Sequence, residues 1–260
     1  MSRDTAATAG SGALRAADAA EICETMTADA MNYSSPFLLT LRRIGQQFGV
    51  LRPLVKLYRS LLNKTYEDNF DKLMMSTITA GSVVWDIGAN VGFYSDKFLR
   101  KVGPMGYVVA FEPAPRAAEI CTQKFLKEVN FKLENKGLSN KSGIARFLAE
   151  STSPTNKIID SINPSAVDVE VITGDQFIHS NPSLDPNFIK LDVEGFEPEV
   201  LEGLNLTLRN PKFKALFLEM HFLELVKRGK GSAPTEIVAL LESASLKIKW
   251  VDPSHLIAYR

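Results

Sequence analysis

The amino-acid sequence predicts an α/β fold in which helices cover both faces of a mostly parallel sheet. From residue 82 onward, short β-branched runs alternate with longer amphipathic segments, which is the pattern of parallel strands joined by crossover helices. Two further strand patterns close the chain around Pro253 and Ser254, as in an antiparallel hairpin. The chain has 260 residues, enough to bury one large core.

The elements follow in order along the chain. Strands are predicted at 82–87, 106–112, 131–138, 187–193 and 214–220, helices at about 93–101, 115–129, 197–208 and 234–244, and the hairpin at 246–252 and 255–260. Short β patterns at 144–149 and 167–173 flank a loop rich in Ser, Thr, Pro and Asn. We interpret that loop, 151–165, as an insertion outside the core.

The region before the sheet divides into two predicted parts. Residues 1–32 are rich in Ala, Thr, Ser and Gly, which predicts a flexible tail. Residues 33–75 are predicted to be a basic helical extension, because 36–64 contains basic side chains among leucines and no acidic residue. Two interpretations of that segment stay open: a lid over a substrate pocket, or a peripheral contact with an anionic membrane surface. Residues 76–260 then form the folded domain.

Composition narrows the partners and the compartment. The 30 basic and 30 acidic residues cancel, so no overall field attracts nucleic acid, and we expect no nucleic-acid partner. Cys23 and Cys121 are far apart and fit no metal or CxxC spacing, as in a reducing compartment. Charged residues interrupt every apolar run before it could act as a signal or a membrane span. We predict a cytoplasmic protein, with attachment to the inner face of the membrane as the alternative; no pattern defines an oligomeric state.

A loop with two glycines, "DIGANVG", follows the first strand, where such sheets border their ligand crevice. Counting from Gly88, Asn90 and Phe93 occupy the later glycine positions of the pyrophosphate-binding motif G-x-G-x-x-G. A phosphate cradle is therefore disfavoured. The carboxylate of Asp86 and the amide of Asn90 suit an amino-acid moiety instead.

The second strand ends at Glu112, where an acidic side chain can accept hydrogen bonds from a ribose diol. Together with the glycine loop, this predicts S-adenosylmethionine as the cofactor. The alternative is that Gly88 and Gly92 only form a tight turn, that Asp86 caps a helix, and that Glu112 is a solvated strand end. The candidate cofactor-binding residues in these two segments are Asp86, Gly88, Ala89, Asn90, Gly92, Glu112 and Pro113.

The stretches "VVWDIGANVGFYS", "VVAFEPAP", "KGLSNKSG", "VEVITGDQF", "FIKLDVEGFEPEVLEG" and "LFLEMH" occur in that order between about residues 82 and 222. Their sequence resembles the FkbM family of S-adenosylmethionine-dependent methyltransferases. The resemblance implies a Rossmann-like, seven-stranded class I methyltransferase sheet over residues 76–260. It also implies that the glycine loop contacts the methionine end of the cofactor, that Glu112 holds the ribose, and that Ser139 lies near the adenine. Gly174 departs from the family, which more often has an apolar residue there.

The resemblance further implies an O-methyltransferase that acts on a hydroxyl of a sugar, glycolipid or natural product. A carboxyl O-methyltransferase and a cofactor-binding module without catalysis are the alternatives. The expected partner is therefore a small-molecule or glycan acceptor. The resemblance implies no metal.

The fourth and fifth strands carry the candidate catalytic residues. Lys190, Asp192 and Glu194 are spaced by two and share one face of the fourth strand. His221 follows the fifth strand and is the predicted general base because its unperturbed pKa is suitable. Asp192 is the second candidate base and a candidate partner of the cofactor's ammonium. A helix-capping role for Glu194 and a buried structural role for His221 stay open. His179 and His255 are interpreted as loop residues.

Overall fold

The computed structural model describes residues 69–148, 157–158 and 166–260. The predicted tail, nearly all of the predicted extension and most of the 151–165 loop lie outside these ranges, so the predictions on them and on the domain boundary stay predictions. The described chain begins in a helix, α1, at residues 69–77.

The remaining helices and strands are numbered in chain order. They are β1 Val83–Ile87, α2 Phe93–Val102, β2 Tyr107–Phe111, α3 Pro115–Lys124, β3 Phe131–Glu134, β4 Gly137–Leu138, β5 Gly143–Leu148, β6 Lys157–Ile158, β7 Ala166–Ile172, α4 Gly174–Ser180, β8 Phe188–Leu191, α5 Glu197–Glu202, α6 Asn205–Arg209, β9 Ala215–Glu219, α7 Phe222–Lys227, α8 Ala233–Ser243, β10 Lys247–Trp250 and β11 His255–Tyr259, with a short 3-10 turn at Pro182–Leu184.

A seven-stranded sheet forms the centre of the fold, in the order β3-β2-β1-β8-β9-β11-β10. The strands from β3 to β9 are parallel, whereas β11 pairs antiparallel with both β9 and β10. The predicted Rossmann-like α/β fold and its C-terminal hairpin are therefore confirmed. The chain order reverses between β1 and β8, and ligands bind beyond the carboxyl ends of strands at such a switch point.

Both faces of the sheet are buried, which explains the nearly continuous apolar runs of its strands. Along β1, Trp85 and Ile87 pack into one cluster with helices α5 and α8. Val84 points to the opposite face and packs with Phe98 of α2 and Phe70 of α1. Side chains from one strand thus fill two cores.

The prediction of a single strand at residues 131–138 is wrong in part. It divides into β3, which lies in the central sheet, and β4, which joins a second sheet of order β4-β7-β5-β6. The side-chain amide of Asn135 donates to the carbonyl oxygen of Glu112 at 2.7 Å, so the chain turns away after Glu134. Ser139 consequently follows a strand of the second sheet, not the third strand of the central one.

The second sheet also gives structure to the short β patterns on either side of the 151–165 loop. β5 and β7 pair antiparallel from Gly143–Val171 to Leu148–Ala166. Phe147, Val169 and Val171 bury a small separate core against Ala114 and Ala117. This sheet is separate from the central one.

Several helix boundaries also differ from prediction. The helix predicted at 197–208 is two helices, because Asp175 accepts hydrogen bonds from the backbone N–H groups of Leu206 and Thr207, both at 2.9 Å, and so begins α6 anew. Gly174 is explained by packing, because a Cβ there would lie 2.3 Å from Leu204 Cδ2. His179 lies in α4 and not in a loop.

Candidate active site

A cavity of about 440 Å³ opens at the carboxyl ends of β1, β2, β8 and β9, within the usual size range of small-molecule sites. It therefore lies at the switch point of the sheet. The lining residues are Ile87, Gly88, Asn90, Phe111, Glu112, Pro113, Gly137, Leu138, Phe147, Asp192, Val193, Glu194, Phe196, Glu219 and His221.

The glycine loop crosses the end of β8 in close contact with it. Gly88 has a φ of +81°, and a Cβ on this residue would lie 1.8 Å from the carbonyl oxygen of Asp192. Only glycine fits this backbone conformation and this approach. Gly92 serves a different purpose, since a Cβ there would lie 2.4 Å from the ring of Phe125. Gly88 thus borders the cavity, whereas Gly92 packs the loop against the region after α3.

Glu112 is held at the cavity wall by backbone donors. Its Oε2 accepts from the N–H of Asn90 at 2.7 Å, and its Oε1 accepts from the N–H of Ala114 at 2.8 Å. Burial raises the pKa of this carboxyl to about 7, although both hydrogen bonds and Lys190 lower it. A carboxylate has about four acceptor sites, so each oxygen keeps a free lone pair for a ligand diol.

Asp86 lies behind the cavity and does not line it. Its side chain is fully buried; Oδ2 accepts from the hydroxyl of Ser95 at 2.7 Å, and Oδ1 lies 3.7 Å from Nζ of Lys190. Burial raises its pKa, and Lys190 opposes that shift. The structure thus corrects the predicted direct contact of Asp86 with a cofactor: this carboxylate anchors Lys190.

Three other candidate cofactor residues, Ala89, Gly92 and Ser139, also lie outside the cavity lining. Ala89 is buried, and its N–H donates to the carbonyl of Phe111 at 3.1 Å. The N–H of Ser139 donates to the carbonyl of Ile172, because the segment belongs to the second sheet. These residues lie behind the walls. The cavity itself is lined by the other predicted contacts, Gly88, Asn90, Glu112, Pro113 and Asp192.

Lys190 links β1 to the catalytic face. Its ammonium lies 3.2 Å from Oδ2 of Asp192 and 4.7 Å from the centre of the Tyr94 ring. Burial lowers its pKa, but the carboxylates of Asp192 and Asp86 outweigh burial, so the pKa is raised. Lys190 is therefore a permanent cation that fixes the position of Asp192.

His221 stands between a buried carboxylate and the cavity. Its Nδ1 lies 2.7 Å from Oε1 of Glu197, and the same oxygen accepts from the N–H of Gly195 at 2.9 Å. Its Nε2 lies 3.5 Å from Glu194, 3.6 Å from Asp192 and 3.8 Å from Glu219. Four carboxylates thus surround one imidazole.

This environment changes the protonation of His221. Burial lowers its pKa, but the hydrogen bond and charge of Glu197, with the charges of Asp192 and Glu194, raise it to about 10. His221 is therefore an imidazolium at neutral pH. The premise of the predicted base role, an unperturbed pKa, is wrong.

Glu194 lies next to His221 in the cavity lining, 3.5 Å from its Nε2. Burial, together with the negative charges of Asp192 and Glu219, raises the pKa of this carboxyl to about 7, although the positive charge of His221 opposes the shift. Phe196 is the N-cap residue of α5, and no side-chain hydrogen bond caps that end among the described residues. The helix-capping alternative for Glu194 is thus not supported by its position.

The sequence analysis missed a second buried pair next to the site. His255 begins β11 instead of lying in a loop, and its Nδ1 lies 2.7 Å from Oδ2 of Asp252. Its Nε2 lies 3.6 Å from Oε2 of Glu219. The interactions with both carboxylates raise the pKa of His255 to about 9 against the effect of burial. The only signal in the sequence was the acidic residue three positions before the histidine.

The side chains around His221 have the donor types of a metal site. Asp192, Glu219 and His221 each place a ligand atom within 4.8 Å of the others. Carboxylate oxygen and imidazole nitrogen suit several divalent cations. The expectation that no metal takes part stays a prediction.

The fold and this pocket define a Rossmann-like methyltransferase: a parallel sheet with an antiparallel C-terminal pair, and a ligand cavity between the glycine loop and an acidic strand end. The family described as "Methyltransferase FkbM domain" matches residues 86–247. The chain belongs to this family. It is a methyltransferase, and its cofactor is S-adenosylmethionine.

Known proteins similar to this chain include the hexuronic acid methyltransferase AglP of Haloferax volcanii, 27% identical over 69% of this chain and 70% of that protein. Among solved structures, methyltransferase FkbM from Methylobacillus flagellatus has a TM-score of 0.48 and 14% identity, covering 69% of this chain but only 43% of that one. Precorrin-6y C5,15-methyltransferase from Geobacter metallireducens has a TM-score of 0.45 and 15% identity over 76% of this chain and 87% of that one. Within the described ranges, no helix is long and apolar enough to cross a bilayer.

Proposed function

We propose that this protein is an O-methyltransferase that methylates a hydroxyl group of a sugar, glycolipid or natural product. The observation that carries this proposal is one cavity lined both by the Gly88 loop with Glu112 and by the cluster of Asp192, Glu194 and His221. A cofactor-binding wall and an acid–base wall thus face the same space. The similarity to a hexuronic acid methyltransferase, at 27% identity, supports a sugar as the class of acceptor but does not define the charge of that sugar.

The cavity residues fit S-adenosylmethionine. The absence of a Cβ at Gly88 lets the loop approach the end of β8, and Asn90 and Pro113 continue the wall. Glu112 offers its free lone pairs to a ribose diol, and Asp192 is available to an ammonium group. When bound, S-adenosylmethionine supplies a methyl group activated by a sulfonium.

Glu194 is the proposed general base. With a pKa of about 7, its carboxyl is ready both to hold and to release a proton near neutral pH. It lines the cavity, so an acceptor hydroxyl can donate to its oxygen, and the proton of that hydroxyl passes to the carboxylate. A positioned base contributes about a hundred- to ten-thousandfold in rate.

His221 is proposed to position this base. Its imidazolium lies within 3.8 Å of the carboxylates of Asp192, Glu194 and Glu219, so it keeps all three directed at the cavity. Lys190 holds Asp192 from the other side. Fixing the acceptor oxygen relative to the methyl group supplies most of the catalysis expected for such a transfer, about 7–11 kcal/mol.

Methyl transfer to a panel of acceptors tests the proposal. The full chain is incubated with isotopically labelled S-adenosylmethionine and sugars, glycolipids or hydroxylated metabolites, and products are screened by mass for one added methyl. We expect a methyl ether that survives mild alkali. A label released by mild alkali would identify a carboxyl ester and contradict the proposal in favour of carboxyl methylation. Cofactor binding with no product from any acceptor class would support the non-catalytic alternative.

The role of residues 36–64 also stays a prediction, because the segment lies outside the described residues. Its basic side chains are proposed either to cover the acceptor pocket or to bind an anionic surface. Co-sedimentation with vesicles that contain anionic lipid, compared with neutral vesicles, separates the two. Binding only to anionic vesicles supports the membrane contact, and no binding to either supports the lid.

A further inference from the structure

We propose that Glu219 makes the pocket selective for uncharged acceptors, so that the substrate is a neutral glycoside and an acceptor with a carboxylate or phosphate near the reacting hydroxyl is rejected. This inference rests on the proposed function, since it concerns the acceptor side of the same cavity. It adds a specificity-determining residue that the reaction itself does not require.

Carboxylates outnumber cations around the cavity. The acidic side chains joined in this network are Asp86, Asp192, Glu194, Glu197, Glu219 and Asp252, and the basic ones are Lys190, His221 and His255. Each of these cations already lies next to at least two carboxylates. Burial raises the pKa of Asp86 and Glu194, but when these two hold protons four carboxylates still face three cations, so the region keeps a negative charge.

The cations are also poorly placed to receive an anionic ligand. Within the part of the chain that the structure describes, neither Lys nor Arg lines the cavity. Lys190 is 6% exposed and is held between Asp86 and Asp192. His221 does line the cavity, but its Nδ1 is bonded to Glu197 and its Nε2 faces three carboxylates. An acceptor carboxylate would meet negative charge first.

Glu219 is the most accessible member of this group. Its side chain is 37% exposed, compared with 28% for Asp192 and 19% for Glu194. It ends β9, directly opposite His255 of β11 in the strand register. One carboxylate oxygen lies 3.8 Å from Nε2 of His221 and the other 3.6 Å from Nε2 of His255. Both oxygens are thereby fixed, and the charge faces the cavity.

The partners of His255 make this placement rigid. Its other ring nitrogen is bonded to Asp252 at 2.7 Å, and its ring packs against that of Phe70 with 4.4 Å between the centres. Turning Glu219 away from the cavity would therefore separate its carboxylate from both His221 and His255. Ionised carboxylates accept hydrogen bonds but donate none. Sugar hydroxyls, which can donate, match this surface, and like charges are disfavoured.

Matched acceptor pairs test the inference. Neutral methyl hexopyranosides are compared with the corresponding methyl hexuronides, which differ only at C6. We expect the wild-type chain to prefer the neutral member by about tenfold or more in kcat/KM. Raising the salt concentration should lower the KM of the hexuronide and leave that of the neutral glycoside unchanged, because screening weakens the repulsion.

Variants identify the residue responsible. Glu219→Gln should reduce the preference by about tenfold, whereas Glu219→Asp, which keeps the charge, and Glu242→Gln, at an exposed position of α8, should retain it. Equal or better use of hexuronides by the wild type, including methylation of a hexuronide when no neutral glycoside is methylated, would overturn the inference alone. A chain that binds no S-adenosylmethionine would overturn the proposed function itself. The ratio of kcat/KM for the two acceptors in the wild type, and its salt dependence, test the inference even if Glu219→Gln does not fold.

Discussion

Nδ1 of His221 lies 2.7 Å from Oε1 of Glu197, a carboxylate that is completely buried. This pair favours the protonated form of the imidazole and directs Nε2 towards Asp192, Glu194 and Glu219. An imidazolium that is already protonated cannot accept a proton from an acceptor hydroxyl. A neighbouring carboxylate is therefore the proposed base.

The charge of His221 can be measured without any acceptor. We expect its ring to titrate near pH 10 in an NMR pH titration of imidazole resonances, because the surrounding carboxylates outweigh burial. In Glu197→Gln the pKa should fall by one unit or more, about 1.4 kcal/mol of lost interaction per unit. His179, which lies in α4, is a control for the fold of the variant, because its resonances should be the same in both proteins. Titration of His221 near 6.5 in the wild type would refute its assigned charge.

The pH dependence of catalysis tests Glu194. The ionised form of Glu194 is active, so kcat/KM should rise as pH increases through about 7. It should fall again as His221 loses its proton near pH 10. Glu194→Gln should lower kcat about a hundred- to ten-thousandfold and remove the acidic limb. The exposed Glu236→Gln serves as the matched control. Retention of the acidic limb in Glu194→Gln would show that the limb belongs to another group, of which Glu112, with a pKa of about 7, is one.

Stability should depend on the pair of Asp252 and His255. The folded pKa of His255, about 9, exceeds its unfolded value of 6.5, so this pair stabilises fully below pH 6.5 and loses its effect as pH rises through 9. Asp252→Asn keeps an oxygen for the N–H groups of Ser254 and His255 but removes the charge. We expect a loss of about 1–3 kcal/mol in the free energy of unfolding at pH 6.

Urea denaturation at pH 6 and at pH 10 measures this effect. The difference between Asp252→Asn and the wild type should shrink at the higher pH. Asp168→Asn, whose side chain is 70% exposed, should change stability little at either pH. An Asp252→Asn deficit that is unchanged at pH 10 would show that charge is not what stabilises the pair.

The fold and the position of the cavity could be predicted from the sequence, because both follow from local patterns. Alternating strand and helix periods predict a parallel sheet, and a glycine loop at a strand end marks the crevice. Gly88, Asn90, Glu112 and Asp192 line the cavity accordingly. The division of residues 131–138 was not predictable in the same way, since it depends on the bond from Asn135 to the distant carbonyl of Glu112.

Protonation states could not be read from the sequence. His221 was assigned a base role from its ordinary pKa, but the carboxylates that change that pKa come from residues 192–197 and from Glu219, and only the fold brings the first group to the histidine. Asp86 was assigned to the cofactor from its position near the end of β1, yet Lys190 of the neighbouring strand and Ser95 of α2 enclose it. Both errors arise from contacts across strands, which spacing along one strand does not reveal.

Metal removal tests the expectation of metal-independent catalysis. Asp192, Glu219 and His221 have the donor types of a divalent site, but Glu197 and the neighbouring carboxylates hold a proton on His221. We expect methyl transfer by chelator-treated protein to match that of untreated protein. Loss of activity that magnesium or manganese restores would assign a metal to these three residues.

Binding of S-adenosylmethionine measured by titration calorimetry tests most directly that the Gly88 cavity is the cofactor site. We expect one site in the wild type and a loss of at least about a hundredfold in affinity in Gly88→Ala, because the new Cβ would collide with the carbonyl of Asp192. Gly81→Ala is the matched control, because the φ of Gly81, +77°, is similar but no atom lies within 4 Å of the added Cβ. This variant should bind the cofactor normally, with backbone strain that lowers the free energy of unfolding by about 1–2 kcal/mol. Wild-type affinity in a folded Gly88→Ala chain would contradict the assignment.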